Sequence, residues 1–421
     1  MWTLLRRVSL TGWIIIATIT GAVIGYLDHA VWLTVDVGAA VRPLAAIFLR
    51  MIKSIVVPLI FGSLVVGIAG HGDDLRRVGR LALKSLVYFE LVTSIALFVG
   101  LAAVNLVKPG AGVALNAPAE EGRQFASTPT TLSGVLEHTV PASFFDAAAK
   151  NEVLQVVFFS ILFAVALSQA RGRPKETMLA FCESLSEVMF RFTNIVMKFA
   201  PIGIAAAMID TIGKNGLDVV WGLGKLVGTL YGALIVFVVV ALVPVALVAR
   251  IPIREFWRWA KEPWLIAFST ASSEAALPLA MENMEKFGVP RRIVSFVLPT
   301  GYSFNLDGST LYLAVTSVFV AQAAGIDLTI GQQLLMMLTL MLTSKGVAAV
   351  PRASLVILSG TLVTFGLPLE GVAVILGVDA FMDMARTSVN LLGNCLASSV
   401  MARWEGEFQT AAVPDGAAIE T

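Results

Sequence analysis

Six long apolar stretches, at about residues 8–27, 38–69, 77–107, 151–169, 178–211 and 217–249, occupy most of the first 250 positions. A helix needs about 20 apolar residues to cross a hydrocarbon core. Backbone N–H and C=O groups at that depth find no water, so a spanning stretch must satisfy them within a helix. Hydrophobic residues make up 57% of the chain and charged residues 14%, against about 25% charge in a soluble domain. The fold class that follows is an all-α integral membrane protein.

The remaining composition excludes several functions. A net charge of +1, with no basic run interleaved with aromatics, gives no reason to expect nucleic acid as a partner. Cys182 and Cys395 are the two cysteines, both in apolar surroundings, which leaves no disulfide framework and no cysteine metal cluster. The N-terminus, MWTLLRRVSLTGWIIIATITGAVIGYL, has a basic start but no small-residue cleavage site, so it is expected to stay as a first membrane helix. The connectors at 71–80, 170–176, 249–263 and 285–292 are rich in Arg and Lys, which places them and the N-terminus in the cytoplasm. The connector at 108–134 is Pro/Gly/Ala-rich and external, and the tail after Phe408 has no pattern that could bury a face.

The second half breaks the pattern of simple spans. Thr270 to Pro278 reads TASSEAALP and Thr343 to Pro351 reads TSKGVAAVP, each between apolar arms. Behind the first lies an interrupted span, LPTGYSFNLDGSTLYLAV; behind the second, a charged stripe that is expected to interrupt its span likewise. Paired broken segments in corresponding places are the trace of a transporter's internal repeat, here inverted. Each nonamer reads as the tip of a re-entrant hairpin, with free N–H groups pointing at the centre of the membrane. Ser272 and Ser273 add hydroxyl donors there. Asn305 and Asp307, with carbonyls freed where Gly301 and Gly308 weaken the helix, form a candidate cation cage.

The charged stripe carries Asp379, Asp383, Arg386, Thr387, Asn390 and Asn394 in the segment GVDAFMDMARTSVNLLGNCLASSVMARW. At about 100° per residue all six fall within an arc of about 100°. Lipid cannot satisfy such a face, and ionisable groups at that depth mark a substrate or ion path by default; an Asp–Arg pair that only glues helices is the structural alternative. Arg386 offers a planar fork for a carboxylate, and Asp383 a counter-charge for an ammonium. Together with an anion-binding tip they describe an acidic amino acid.

FSTASSEAALP, NLDGS, SKGVAAVP and DMARTSVNLLGN, in this order, resemble the dicarboxylate/amino acid:cation symporters, which include bacterial glutamate transporters and the animal excitatory amino acid transporters. The resemblance runs from the first helix to about residue 406. It implies about eight transmembrane helices plus two re-entrant hairpins, a homotrimer, and a transport domain that slides like an elevator against a central scaffold. The implied division is 1–76 scaffold helices, 77–107 the third helix of the transport domain, 108–216 the external loop and scaffold helices, 217–406 the core transport domain, and 407–421 a disordered tail. By similarity, Asp383 holds the substrate ammonium and Arg386 its side-chain carboxylate. Thr387, Asn390, Ser273 and Ser309 complete the pocket, and Asp379 steadies Arg386 from one helical turn away.

The departures from the family pattern bear on coupling. Sodium-coupled members place a Tyr where this chain has Glu90, beside Thr93 and Ser94, and an Asp where it has Asn394. Lys345 and Val347 replace an apolar residue and a Thr at the second tip. Removing an anionic ligand and adding an ammonium weaken a sodium site, while a buried carboxylate can carry a proton. The pattern is similar to that of proton-coupled bacterial glutamate carriers. Proton carriage falls to Glu90, Glu274 or Asp383, or else Glu90 is a packing carboxylate paired with Lys345 or another cation. Sodium at Asn305 and Asp307 stays open as the alternative coupling ion, as does a proton-coupled C4-dicarboxylate symporter, although Asp383 argues for an amino acid. Arg352 reads either as a compensating charge or as a solvated one.

The expected chain is therefore no enzyme and has no cofactor beyond its coupling ion. Its partners are an acidic amino acid, membrane lipid and its own copies, and its place is the inner membrane of a bacterium. His29, His71 and His138 lie in or near connectors ahead of the motifs, which disfavours a Ser–His hydrolase. Asp307 and Asp383 as an acid pair suit catalysis poorly with Arg386 beside them. A passive channel would be separated from a carrier by counterflow in sealed vesicles.

Overall fold

A computed structural model of the chain describes residues 10–30, 36–69, 75–113, 115, 140–150, 152–215, 223–343 and 353–409. The described residues form helices and connectors. In chain order the helices are α1 (Leu10–Ala30), α2 (Val37–Ala69), α3 (Leu75–Val107), α4 (Phe144–Lys150), α5 (Val153–Gln169), α6 (Arg173–Met197), α7 (Ala200–Asn215) and α8 (Gly224–Val248). There follow α9 (Ile253–Thr270), α10 (Ser273–Phe287), α11 (Arg291–Phe304), α12 (Asp307–Ala323), α13 (Ile330–Thr343), α14 (Ala353–Thr364) and α15 (Glu370–Trp404).

Four helices among the described residues are long and apolar enough to cross a membrane: Gly12–Ala30, Val37–Val66, Gly79–Val107 and Gly224–Val248. The stretch 178–211, expected as one span, is instead α6 and α7, bent by 56°. Pro201 accounts for the bend. It has no N–H to give, and its ring would press on the carbonyl four residues back, at Met197, where α6 ends. In α8 the chain makes a π-helical turn at Val238–Leu242 just ahead of Pro244, the same conflict absorbed by a wider turn.

The helices sort into two packed groups. α5, α6 and α7 pack on α2, and α7 packs also on α1; α3, α9, α10, α11 and α12 gather round α15. α2 touches both groups, through α10 and α11. α12 and the C-terminal half of α15 are buried along almost their whole length. Large apolar side chains instead stand exposed on the outer helices, among them Ile19, Leu91, Phe98, Ile235 and Val239, as lipid-facing surfaces require.

Two expectations about the second half need correcting. The charged stripe does not interrupt its span: α15 is one continuous helix of 35 residues. Its charges are answered within the helix, Arg386 bonding back to Asp383 at i,i+3, so nothing frees the backbone. The chain also stays packed past residue 406, because Glu407 pairs with Arg292 and Phe408 meets the Phe287 ring edge-on at 5.1 Å. The second nonamer from Ser344 on, with Lys345, Val347 and Arg352, lies outside the described residues, as do 116–139 of the external connector.

Candidate functional site

The polar stripe of α15 faces inward. Asp379, Arg386, Thr387, Asn390 and Asn394 are all buried, while the Asp383 side chain keeps 26% of its surface. Asp383 is therefore the member of the stripe that a solute can reach. Arg386 is held on three sides. Its Nε donates to Asp383 Oδ1 at 2.9 Å and its Nη1 to Asp379 Oδ1 at 3.2 Å. Its Cζ lies 4.0 Å from the centroid of the Tyr312 ring, a cation–π contact. Tyr312 Oη in turn donates to Asp379 Oδ1 at 2.9 Å, and Thr387 Oγ1 to Asp383 Oδ1 at 2.8 Å. Asp379 thus reaches Arg386 from seven residues away, two turns rather than the expected one.

Two carboxylates against one guanidinium leave this core with an excess negative charge. A buried arginine left unpaired would cost about 3–5 kcal/mol, so the pairing is what lets it sit there. An incoming carboxylate that replaces Asp383 on Nε keeps Arg386 paired. It also releases the Asp383 carboxylate to meet a cation.

The break between α11 and α12 is the second part of the site. Asn390 Oδ1 accepts from the N–H groups of Gly308 at 2.7 Å and Ser309 at 3.1 Å, and its Nδ2 donates to Ser309 Oγ at 2.9 Å. One side chain of α15 therefore caps the start of α12. Asn305 Nδ2 donates to Asn394 Oδ1 at 3.0 Å and reaches Asp307 Oδ2 at 3.3 Å; Thr93 Oγ1 stands 3.5 Å from Asp307 Oδ1. Asn305 Oδ1 is buried without a hydrogen-bond partner. Asp307, Asn305, Asn394 and Thr93, drawn from three segments, thus share one buried spot whose free oxygen suits a cation.

Not every expected residue plays the expected part. The Gly301 carbonyl accepts from the Asn305 N–H at 2.8 Å and so is not simply freed. Ser94 Oγ donates back to the Glu90 carbonyl at 2.7 Å and approaches Met341 Sδ, which turns it from Asp307 toward α13. Glu90 lies half-buried one turn before it.

At the first tip the chain turns through Ala271 in the left-handed region, φ 48°. Ser272 Oγ accepts from the Ala275 N–H at 3.3 Å, so this hydroxyl caps α10 rather than being kept wholly for a ligand. Tyr302 Oη donates to the Ser273 carbonyl and ties the tip to α11. Glu274, a candidate proton carrier, pairs with Lys53 of α2 at 3.4 Å.

Three contributors were missed from the sequence: Tyr312, Tyr302 and Lys53. An aromatic inside an aliphatic helix reads as core, and LYLAV gives no other sign. Lys53, which with Arg50 puts charge inside a long apolar run, is the signal that points to it.

The sequence model of the sodium:dicarboxylate symporter family matches residues 10–404. The chain is 42% identical over 412 residues to the proton/sodium-glutamate symport protein of Geobacillus stearothermophilus, covering 96% of both. It is 42% identical over 418 residues to the proton/glutamate-aspartate symporter of Escherichia coli (strain K12), covering 96% of this chain and 94% of that one. It is also 41% identical over 402 residues to a C4-dicarboxylate transport protein of Bacillus subtilis (strain 168), covering 94% of both.

Proposed function

The chain belongs to the sodium:dicarboxylate symporter family, and on that premise we propose that it takes up glutamate and aspartate in symport with protons. The observation that carries this reading is the position of Asp383. It is the part-exposed carboxylate of the stripe and is bonded to the buried Arg386. An acidic amino acid fits this arrangement from both ends. Its side-chain carboxylate takes over the Arg386 fork, and the released Asp383 neutralises its ammonium. A C4-dicarboxylate would free Asp383 with nothing to pair it.

The remaining residues take supporting parts. Thr387 orients Asp383, Tyr312 and Asp379 orient Arg386, and Asn390 with Ser309 fixes the start of α12 beside them. Ser273, with the tip N–H groups, receives the substrate's other carboxylate. Glu90, half-buried on α3 one turn before Ser94, carries the proton. A second coupling ion has one specific support: Asn305 Oδ1, buried without a partner beside Asp307, suits a single sodium.

The two helix groups support an elevator. In this reading α1, α2, α5, α6 and α7 form the scaffold of a trimer in the inner membrane of a bacterium. The core from residue 217 onward, joined by α3, moves as the transport domain, with about eight spans and two re-entrant hairpins in all. The test is uptake of labelled glutamate into proteoliposomes with proton and sodium gradients imposed separately. An inward proton gradient alone should drive accumulation, and Glu90→Gln should stop it. Accumulation that needs external sodium and ignores the pH gradient would sink proton coupling.

A further inference from the structure

Lys53 stands midway along α2, sixteen residues from either end. It lies inside the stretch Val37–Val66, which is long and apolar enough to cross a membrane, and a charge kept on such a helix points to a partner or a path. Its partner is Glu274, the residue after Ser273 at the first tip, with Nζ 3.4 Å from Oε2. Both side chains keep some surface, 49% for Lys53 and 25% for Glu274, so the pair is not locked inside the core.

The tip has two kinds of tether. Tyr302 on α11 holds the Ser273 carbonyl, and Ser272 caps α10; both lie within the group around α15. The Lys53–Glu274 pair instead reaches across to the other group. Two weaker bridges cross in the same way: Thr18 of α1 to Ser269 of α9 at 3.0 Å, and Asn194 of α6 to Glu282 of α10 at 3.4 Å. When the hairpin moves relative to α2, the internal tethers travel with it and the crossing ones must break.

We propose that Lys53 and Glu274 form a clamp between α2 and the first hairpin, closed in the conformation seen here and opened once in each transport cycle. Lys53 is then a positioning residue that sets how readily the transporter leaves this conformation. The inference rests on the elevator reading above.

Two experiments separate the clamp from that reading. In proteoliposomes, Lys53→Met and Glu274→Gln should each raise the exchange rate of labelled glutamate about two- to fivefold, the size expected of a part-exposed ion pair. The double variant Lys53→Glu/Glu274→Lys should bring the rate back. Glutamate affinity measured by calorimetry should stay within about twofold throughout, because the internal tethers remain. Unchanged rates in both single variants, or a fall that the charge swap does not reverse, would overturn the clamp. Separately, cysteines at positions 53 and 274, in a chain with Cys182 and Cys395 replaced, are joined by a short bis-maleimide. The joined protein should bind glutamate but not exchange it. Exchange at the unjoined rate would refute motion at this contact, and with it the elevator reading, whatever the charge variants do.

Discussion

Arg386 meets two carboxylates and an aromatic face, and each contact does a different job. Asp379 is buried and locked by the Tyr312 hydroxyl, so it is a fixed counter-charge. Asp383 is part-exposed and shared with Thr387, which makes it the carboxylate that the proposed function exchanges for a ligand's. Tyr312→Phe keeps the ring under the guanidinium and removes one hydrogen bond to Asp379. The loss of about 0.5–1.5 kcal/mol in positioning should raise the glutamate dissociation constant about two- to tenfold in calorimetry. Tyr312→Leu, which also removes the cation–π contact, should weaken binding further. An unchanged constant in the Phe variant would mean that the hydroxyl does not position the arginine.

At the scale of elements, the crossing of the α11–α12 break over α15 depends on close backbone approach. A Cβ on Gly308 would run into the Arg386 carbonyl oxygen, and one on Gly393 into Asp307 Oδ2. Gly308→Ala should therefore cost about 1–3 kcal/mol and lower the thermal midpoint by several degrees. Gly228→Ala in α8, where a Cβ meets nothing within 4 Å, should not lower it. Equal behaviour of the two variants in a thermal melt would contradict the close packing at the break. NLDGS announced this break, because Asn, Asp and Gly punctuate an otherwise apolar helix. The hairpin turn at Ala271–Ser272 was equally legible from its Ser/Thr cluster. The bend between α6 and α7 was not, since apolar residues run straight through Pro201. Nor was the continuity of α15, because side-chain pairs at i,i+3 and i,i+7 cannot be told by residue type from groups awaiting partners. The stripe's residues can be named from the sequence, but not which carboxylate is buried and which keeps surface, because burial depends on the neighbouring helices.

On the scale of the whole molecule, the group around α15 is tied at the C-terminal end of that helix as well as at its centre. Glu405, just past α15, receives Arg80 and Lys84 of α3, each at 2.7 Å. Burial pushes its carboxyl up, but hydrogen bonds from Arg80 and then Lys84, with their charges, outweigh it and hold it below the usual carboxylate range. A depressed carboxylate stabilises the fold above its unfolded pKa, and that contribution is lost as pH falls through the folded value. The gap in thermal midpoint between the wild type and Glu405→Gln should accordingly be widest near neutral pH and close on acidification below about pH 4. A gap that stays constant with pH would mean that Glu405 acts by shape, not charge. In the proposed function, recognition of the substrate's ammonium rests on Asp383. The most direct test is calorimetry of glutamate and of succinate on the wild type and Asp383→Asn. A charge-assisted contact is worth about 1.5–3 kcal/mol, so glutamate should bind at least about tenfold more weakly to the variant, and succinate, which has no ammonium, should lose much less; equal losses for the two ligands would contradict the account.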